Sequence, residues 1–148
     1  GKLPGEITNY LHQAVYNLQI NGDVYVANFL VEPAIRPLEG ILKIALQENG
    51  FPIQKEDKDY DTFFVFKEKE FGYVIKEQFL ENPPSKEIQK YLCKCYRFYR
   101  DNRHTMFHWD NPLGEDTTRI IKTVTEAHVI IRDAVALIDE YYSIRGKS

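Results

Sequence analysis

Apolar residues recur at helical spacing along most of the chain. Over residues 6–20, Ile7, Leu11, Ala14, Val15 and Leu18 share one face, which predicts a helix that Asn21-Gly22 ends. Asp23 stands where a cap is needed for a second helix carrying Val24, Ala27, Leu30 and Val31. Pro33 and Pro37 fall inside that run. Each removes a backbone donor and crowds the preceding turn, so a kink or restart is expected over residues 32–37. The pattern resumes with Leu38, Ile41, Leu42, Ala45 and Leu46, and Asn49-Gly50 stops it. Residues 51–61 are polar and read as a loop. The aromatic and β-branched run at 62–66 and a second at 73–75 suggest a small hairpin or an irregular excursion. Glu81-Asn82-Pro83-Pro84 is a break, and Ser85 is placed to cap a third long helix. After a turn at 110–114, Asp116 is expected to cap a last helix whose apolar stripe is Ile120, Val124, Ala127, Ile131, Ala134, Val135, Ile138 and Tyr142. The expected fold is mainly α: a bundle of four or five helices with a small insertion around residues 51–82.

Residues 85–109 (SKEIQKYLCKCYRFYRDNRHTMFHW) organise the rest. Projected at about 100° per residue, Lys86, Lys90, Lys94, Arg97, Arg100, His104 and His108 fall on one broad face. Ile88, Leu92, Cys95, Tyr99 and Met106 fall opposite. One side suits a core and the other an anion. An ordinary solvated basic face would look the same. The accumulation of Arg and His toward its end is what separates the two readings.

The totals narrow the picture. With 148 residues, 43% hydrophobic and 28% charged, the chain can bury a real core. A net charge of −3 excludes a generally basic nucleic-acid coat, so a polyanion would have to be held locally, over residues 86–108. Cys93 and Cys95 would point in nearly opposite directions on a helix, which argues against a mutual disulfide and for a reducing, cytoplasmic setting. No apolar run reaches membrane-spanning length, and no membrane association is expected. The chain begins with Gly1 and its only methionine is Met106. Residues 1–5 therefore read as a linker or tag remnant, and 6–148 as one helical domain excised from a longer protein.

Two pairs fit the spacing R-x(4–6)-H: Arg97 with His104, and Arg103 with His108. The string is weak by itself, but it sits where a basic amphipathic helix meets a turn. The chemistry is economical. RNA carries its own nucleophile, the 2′-OH, beside each phosphate. An imidazole can take that proton or supply one to the leaving 5′-oxygen. A guanidinium can grip the phosphate through two hydrogen bonds and stabilise the developing charge. No cofactor or metal is needed for such a cut. His104 and His108 stand at i, i+4, but no third ligand occurs at zinc spacing. His128 reads as a satisfied core-edge histidine and His12 as surface. Tyr96 and Trp109 could stack a base, although packing explains them as well. Arg36, Glu39 and Lys43 share a polar face that most simply is solvated surface.

Arg103-His104-Thr105-Met106-Phe107-His108 resembles the R-(polar)-x-x-x-H signature of HEPN domains, helical bundles found in many prokaryotic RNA-cutting toxins. His104 meets the polar second position; Phe98 argues against the Arg97 register. The segment EPAIRPLEGILKI (residues 32–44), the RHTMFHW core and residues 117–142 together resemble the C-terminal domain of the RNase LS (RnlA/LsoA) toxins. The resemblance covers residues 6–50 and 85–142; residues 51–82 have no place on it. It implies a HEPN-type endoribonuclease, the toxin of a toxin–antitoxin system directed against phages, acting on mRNA. The domain would also bind its cognate antitoxin, and a phage-encoded antitoxin, and form a homodimer. Arg103 would hold the phosphate, His108 would be the general acid or base, and Glu39 would orient one of them. Lys90, Lys94, Arg97, Arg100 and His104 would bind RNA. The alternative is a non-catalytic dimerisation and antitoxin-binding module that regulates another domain.

Overall fold

The apolar runs become helices, but not always with the expected ends. A computed structural model describes residues 5–52, 64–67, 72–76, 78, 80–104 and 120–145, with backbone alone for 64–67, 103 and 104. Its elements are α1 (Gly5–Asn17), α2 (Asn28–Glu48), β1 (Phe64–Lys67), β2 (Gly72–Ile75), α3 (Lys86–Tyr99), a π-helical turn (Arg100–His104) and α4 (Val124–Ile144). The fold is mainly α, as the periodicity implied.

The second helix is the centre of the bundle and packs against all three others. It is continuous through Pro33 and Pro37, so the expected restart does not occur. Each interior proline costs about 3 kcal/mol or more. Leu30, Val31, Ile35, Leu38, Ile41, Leu42 and Leu46 are all essentially fully buried. At about 1.5–3 kcal/mol for each large side chain, one uninterrupted stripe outweighs both prolines. The helix starts at Asn28, later than residue 24, and Asp23 is not its cap. Asn28 instead faces inward and its Oδ1 accepts from the Ile121 N–H at 2.8 Å, while the Ala27 N–H donates to Ile121 O at 2.7 Å. At the other end Gly50 (φ +90°) takes the left-handed conformation. The Phe51 N–H donates to Leu46 O and the Gly50 N–H to Gln47 O, the paired bonds of a Schellman stop.

The first helix also ends early, at Asn17 rather than near Ile20. Asn17 is buried: its amide donates to Leu30 O at 3.0 Å and its own carbonyl meets His128 Nε2 at 3.1 Å. That confirms His128 as a satisfied core-edge residue, and His12 is exposed. The insertion contains a two-stranded antiparallel hairpin, with Phe64 opposite Ile75 and Lys67 opposite Gly72. The last helix begins at Val124, capped by Thr123, whose hydroxyl accepts from the Glu126 N–H at 3.1 Å. The Asp116 cap lies outside the described residues, and Ile120 stands exposed ahead of the helix instead of in its stripe. Thr123 stands directly before the helix in a Thr-x-x-Glu capping sequence, whereas Asp116 is seven positions farther upstream.

Candidate functional site

Ser85 starts α3 as expected, its hydroxyl accepting from the Ile88 N–H at 3.3 Å. Ile88, Tyr91, Leu92, Cys95, Tyr96 and Tyr99 are buried. Lys86, Lys90, Lys94 and Arg97 are exposed, and Arg100 is half-buried. The two faces read from the sequence are therefore real through Tyr99. Tyr91 locks the buried face to α4: its hydroxyl donates to Leu137 O at 2.7 Å and its ring stacks on Tyr141 at 5.5 Å. Tyr141 in turn donates to Glu48, which also pairs with Arg145. Tyr96 is buried, so packing rather than base stacking accounts for it.

The basic face has neighbours that helical projection alone does not reveal. Lys94 Nζ lies 2.7 Å from Glu140 on α4, and Arg97 lies 3.8 Å from Asp101 one turn on. Both are exposed pairs, which contribute little and are readily exchanged for a phosphate. The hairpin lies along the same helix. Tyr73 sits edge-on to Tyr96 with centroids 4.8 Å apart, and Arg97 runs beside Gly72, where a side chain would come within 3.7 Å of its Nη1. Gly72 has φ +145°, open to glycine and awkward for other residues.

The α-helix does not continue to Trp109. It ends at Tyr99 and a π-helical turn covers Arg100–His104. Such a turn closes on the fifth residue rather than the fourth. A straight α-helix, on which Arg103 and His108 would stand about 140° apart with Arg103 leaning toward the core, is thus interrupted from Arg100 on. The wide turn also ends the straight-helix stripe at Arg100. The turn is held at two points. The Asn102 amide donates to Phe98 O at 2.8 Å from a buried position, and Arg100 Nη1 donates to the Tyr96 hydroxyl at 3.2 Å. Asn102 was not marked by any motif; a lone Asn near the apolar side of a helix end was the available signal.

Glu39 lies half-buried on α2, and α2 packs against the π turn. The elements bearing Glu39 and Arg103 are thus in contact. His108 and Trp109 lie outside the described residues, as do Thr105, Met106 and Phe107. Arg36 pairs with Glu32 at 3.4 Å on the surface. Among the described residues no group of three potential metal ligands occurs, and no helix is long and apolar enough to cross a membrane. Both cysteines are free; burial pushes Cys93 up to about 11 and Cys95 up to about 12.

Known proteins are similar to this chain in sequence and in fold. The mRNA endoribonuclease toxin LS of Escherichia coli K12 is 28% identical over 109 residues, 70% of this chain and 29% of that protein. The mRNA endoribonuclease LsoA of Escherichia coli O157:H7 is 33% identical over 106 residues, 72% of this chain and 28% of that protein. The chain thus spans under a third of the length of these relatives. A crystal structure of Escherichia coli toxin LsoA in complex with the T4 phage antitoxin Dmd superposes with a TM-score of 0.71 at 24% identity, over 96% of this chain and 53% of that one. At that identity the likeness is one of fold. Residues 1–110 match the family described as "RNase LS, bacterial toxin DBD domain", and the chain belongs to that family.

Proposed function

We propose that this chain is the HEPN-type catalytic and antitoxin-binding domain of a cytoplasmic, metal-independent endoribonuclease toxin acting on mRNA. The observation that carries the reading is the exposed cationic face of α3 running into a π turn where the Arg103–His108 motif begins. The names of the relatives, mRNA endoribonucleases both, support it. Lys90, Lys94, Arg97, Arg100 and His104 attract the phosphate backbone. A neutral imidazole at His108 takes the 2′-OH proton, the 2′-oxygen attacks the adjacent phosphorus, and the P–O5′ bond breaks. The 5′-oxygen leaves with a proton, giving a 2′,3′-cyclic phosphate and a 5′-hydroxyl end. Arg103 binds the non-bridging oxygens as their charge grows. Glu39 orients His108 or holds Arg103 from α2. Two copies of the domain would pair so that two motifs face one groove.

The test is cleavage of mRNA by the purified toxin with and without EDTA, using wild type, Arg103→Ala and His108→Ala. Activity that survives chelation and vanishes in both folded variants supports the proposal. Variants that cut like wild type remove the site.

A second reading is favoured by one finding, the likeness to LsoA held by an antitoxin over almost the whole chain. On it the chain is a non-catalytic dimerisation and antitoxin-binding module. Exposed Tyr16, Tyr25 and Phe29 are apolar surface such a partner could cover. Tight antitoxin binding by a toxin whose motif variants cut RNA at the wild-type rate would favour this alternative.

A further inference from the structure

We propose that the β-hairpin forms one wall of the RNA site: the RNA lies in the seam between α3 and β2, its phosphates held by Arg97 and Lys76. That the ligand is RNA rests on the nuclease reading; the place of the seam rests on contacts. The exposed strip of α3 has two borders. On one side stands α4, where the Tyr91 hydroxyl donates to Leu137 O and Lys94 Nζ lies 2.7 Å from Glu140. On the other stands β2, where Tyr73 packs edge-on against Tyr96 and a hydrogen bond joins Cys93 to the Ile75 backbone.

The two borders differ in charge. Beside α4 a carboxylate already holds the lysine at hydrogen-bond distance, and a phosphate entering there meets a like charge. On the β2 side Arg97 Nε is 3.8 Å from Asp101, too far for a hydrogen bond, and the Arg97 side chain is 54% exposed. A guanidinium carries five N–H donors in a planar fork, so a phosphate can be met with that ion pair kept or exchanged. The Cβ that Gly72 lacks would lie 3.7 Å from Arg97 Nη1 and 3.8 Å from its Cδ. The stem of Arg97 thus passes over the first residue of β2, which is buried. Such support limits the rotamers of a long side chain, so less freedom is lost when it grips an anion. Side chains alternate along a strand, so residue 76 stands on the face that residue 72 turns to Arg97. Lys76 follows directly on β2 and is half-buried. Four residues of extended chain set it roughly 13 Å from Gly72, so Lys76 and Arg97 serve different phosphates.

The experiment measures binding of a fluorescein-labelled 2′-O-methyl RNA of about 12 nucleotides, which lacks the nucleophile, to the full-length toxin across a salt series by fluorescence anisotropy. Asn and Asp share a shape and meet the same backbone strain at φ +145°, so Gly72→Asn and Gly72→Asp differ in charge alone. A carboxylate at position 72 lies against the Arg97 guanidinium and neutralises it. Gly72→Asp therefore binds at least about fivefold more weakly than Gly72→Asn in about 0.1 M salt, with a log–log salt slope smaller by about 0.7. Lys76→Gln loses about as much relative to wild type. Asp and Asn variants that bind alike, or a Lys76→Gln toxin with the wild-type affinity and slope, overturn the proposal. Should the position-72 variants fail to fold, Arg97→Gln and Lys76→Gln carry the test. Each then lowers affinity about fivefold and the slope by about 0.7, and either one matching wild type overturns the proposal. A wild-type toxin that cuts RNA while these variants bind it normally removes the seam and leaves the nuclease reading. One that neither binds nor cuts RNA removes both.

Discussion

Replacing Tyr91 with Phe tests how the cationic helix is fixed in the bundle. The substitution removes one hydroxyl and nothing else. That hydroxyl donates at 2.7 Å to Leu137 O, in the interior of α4, and Tyr91 is 1% exposed. A buried bond of this kind contributes a net ~0.5–1.5 kcal/mol. The cost stays near that range because Leu137 O belongs to a helix and can keep its backbone partner. Stacking on Tyr141 survives in Phe, so the ~0.5–1.5 kcal/mol that an aromatic pair adds is retained. Tyr91→Leu loses both contributions and shrinks the side chain, so about 2–4 kcal/mol is expected. At this chain length each kcal/mol lowers Tm by about 2–4 °C. Urea titration followed by circular dichroism, with unchanged slope, measures both variants. If Tyr91→Phe lies within about 0.3 kcal/mol of wild type, the hydrogen bond does not anchor α3. If Phe and Leu cost the same, the stacking argument fails instead.

Gly40→Ala should be nearly neutral and Gly40→Val destabilising by about 1–3 kcal/mol in the same assay. A Cβ there would come within 2.6 Å of Ile7 Cδ1, a terminal methyl that can swing aside, and alanine recovers about 0.8–1.0 kcal/mol of helix propensity. Stability should be level between about pH 7 and 9 and fall as pH rises toward 11. Burial raises Cys93 to about 11 and Cys95 to about 12 from 9.0, and raises Tyr91 as well, so the folded chain keeps protons that the unfolded chain sheds. A urea midpoint that rises above about pH 9 would contradict the assigned burial. Replacing Lys86, Lys90 and Arg97 with Ser should weaken RNA binding and reduce the log–log salt slope by about 0.7 for each cation that contacts phosphate. An unchanged slope would place the strand elsewhere.

Much of this architecture could be read from residue order. The apolar stripes of α2, α3 and α4 announce themselves by their period, and Asn49-Gly50 and Ser85 mark ends that the structure keeps. The errors share a cause. Pro33 and Pro37 signal a break locally, yet a stripe buried against three helices overrides them. Asp23 and Asp116 look like caps, yet tertiary bonds from Asn28 to Ile121 and the Thr123 cap decide where α2 and α4 begin. The stripe of cations was visible, but Glu140, 46 residues from Lys94, was not. Nor was the π turn, because projection at a fixed angle assumes the ladder it is used to find. The Arg103–His108 pair was awkward on a straight helix, and the structure changes helix type after Tyr99, into the turn where the motif begins.

The proposed mechanism makes the RNA strand its own nucleophile, and one experiment asks this directly. Wild-type toxin is given a short RNA cut at one mapped bond, and the same strand with a single 2′-deoxy nucleotide on the 5′ side of that bond, both in EDTA. The account predicts that the all-RNA strand is cut to a 2′,3′-cyclic phosphate and a 5′-hydroxyl, while the deoxy strand binds equally well and stays whole at that bond. Cleavage of the deoxy strand there, or a 5′-phosphate on the product, would contradict it.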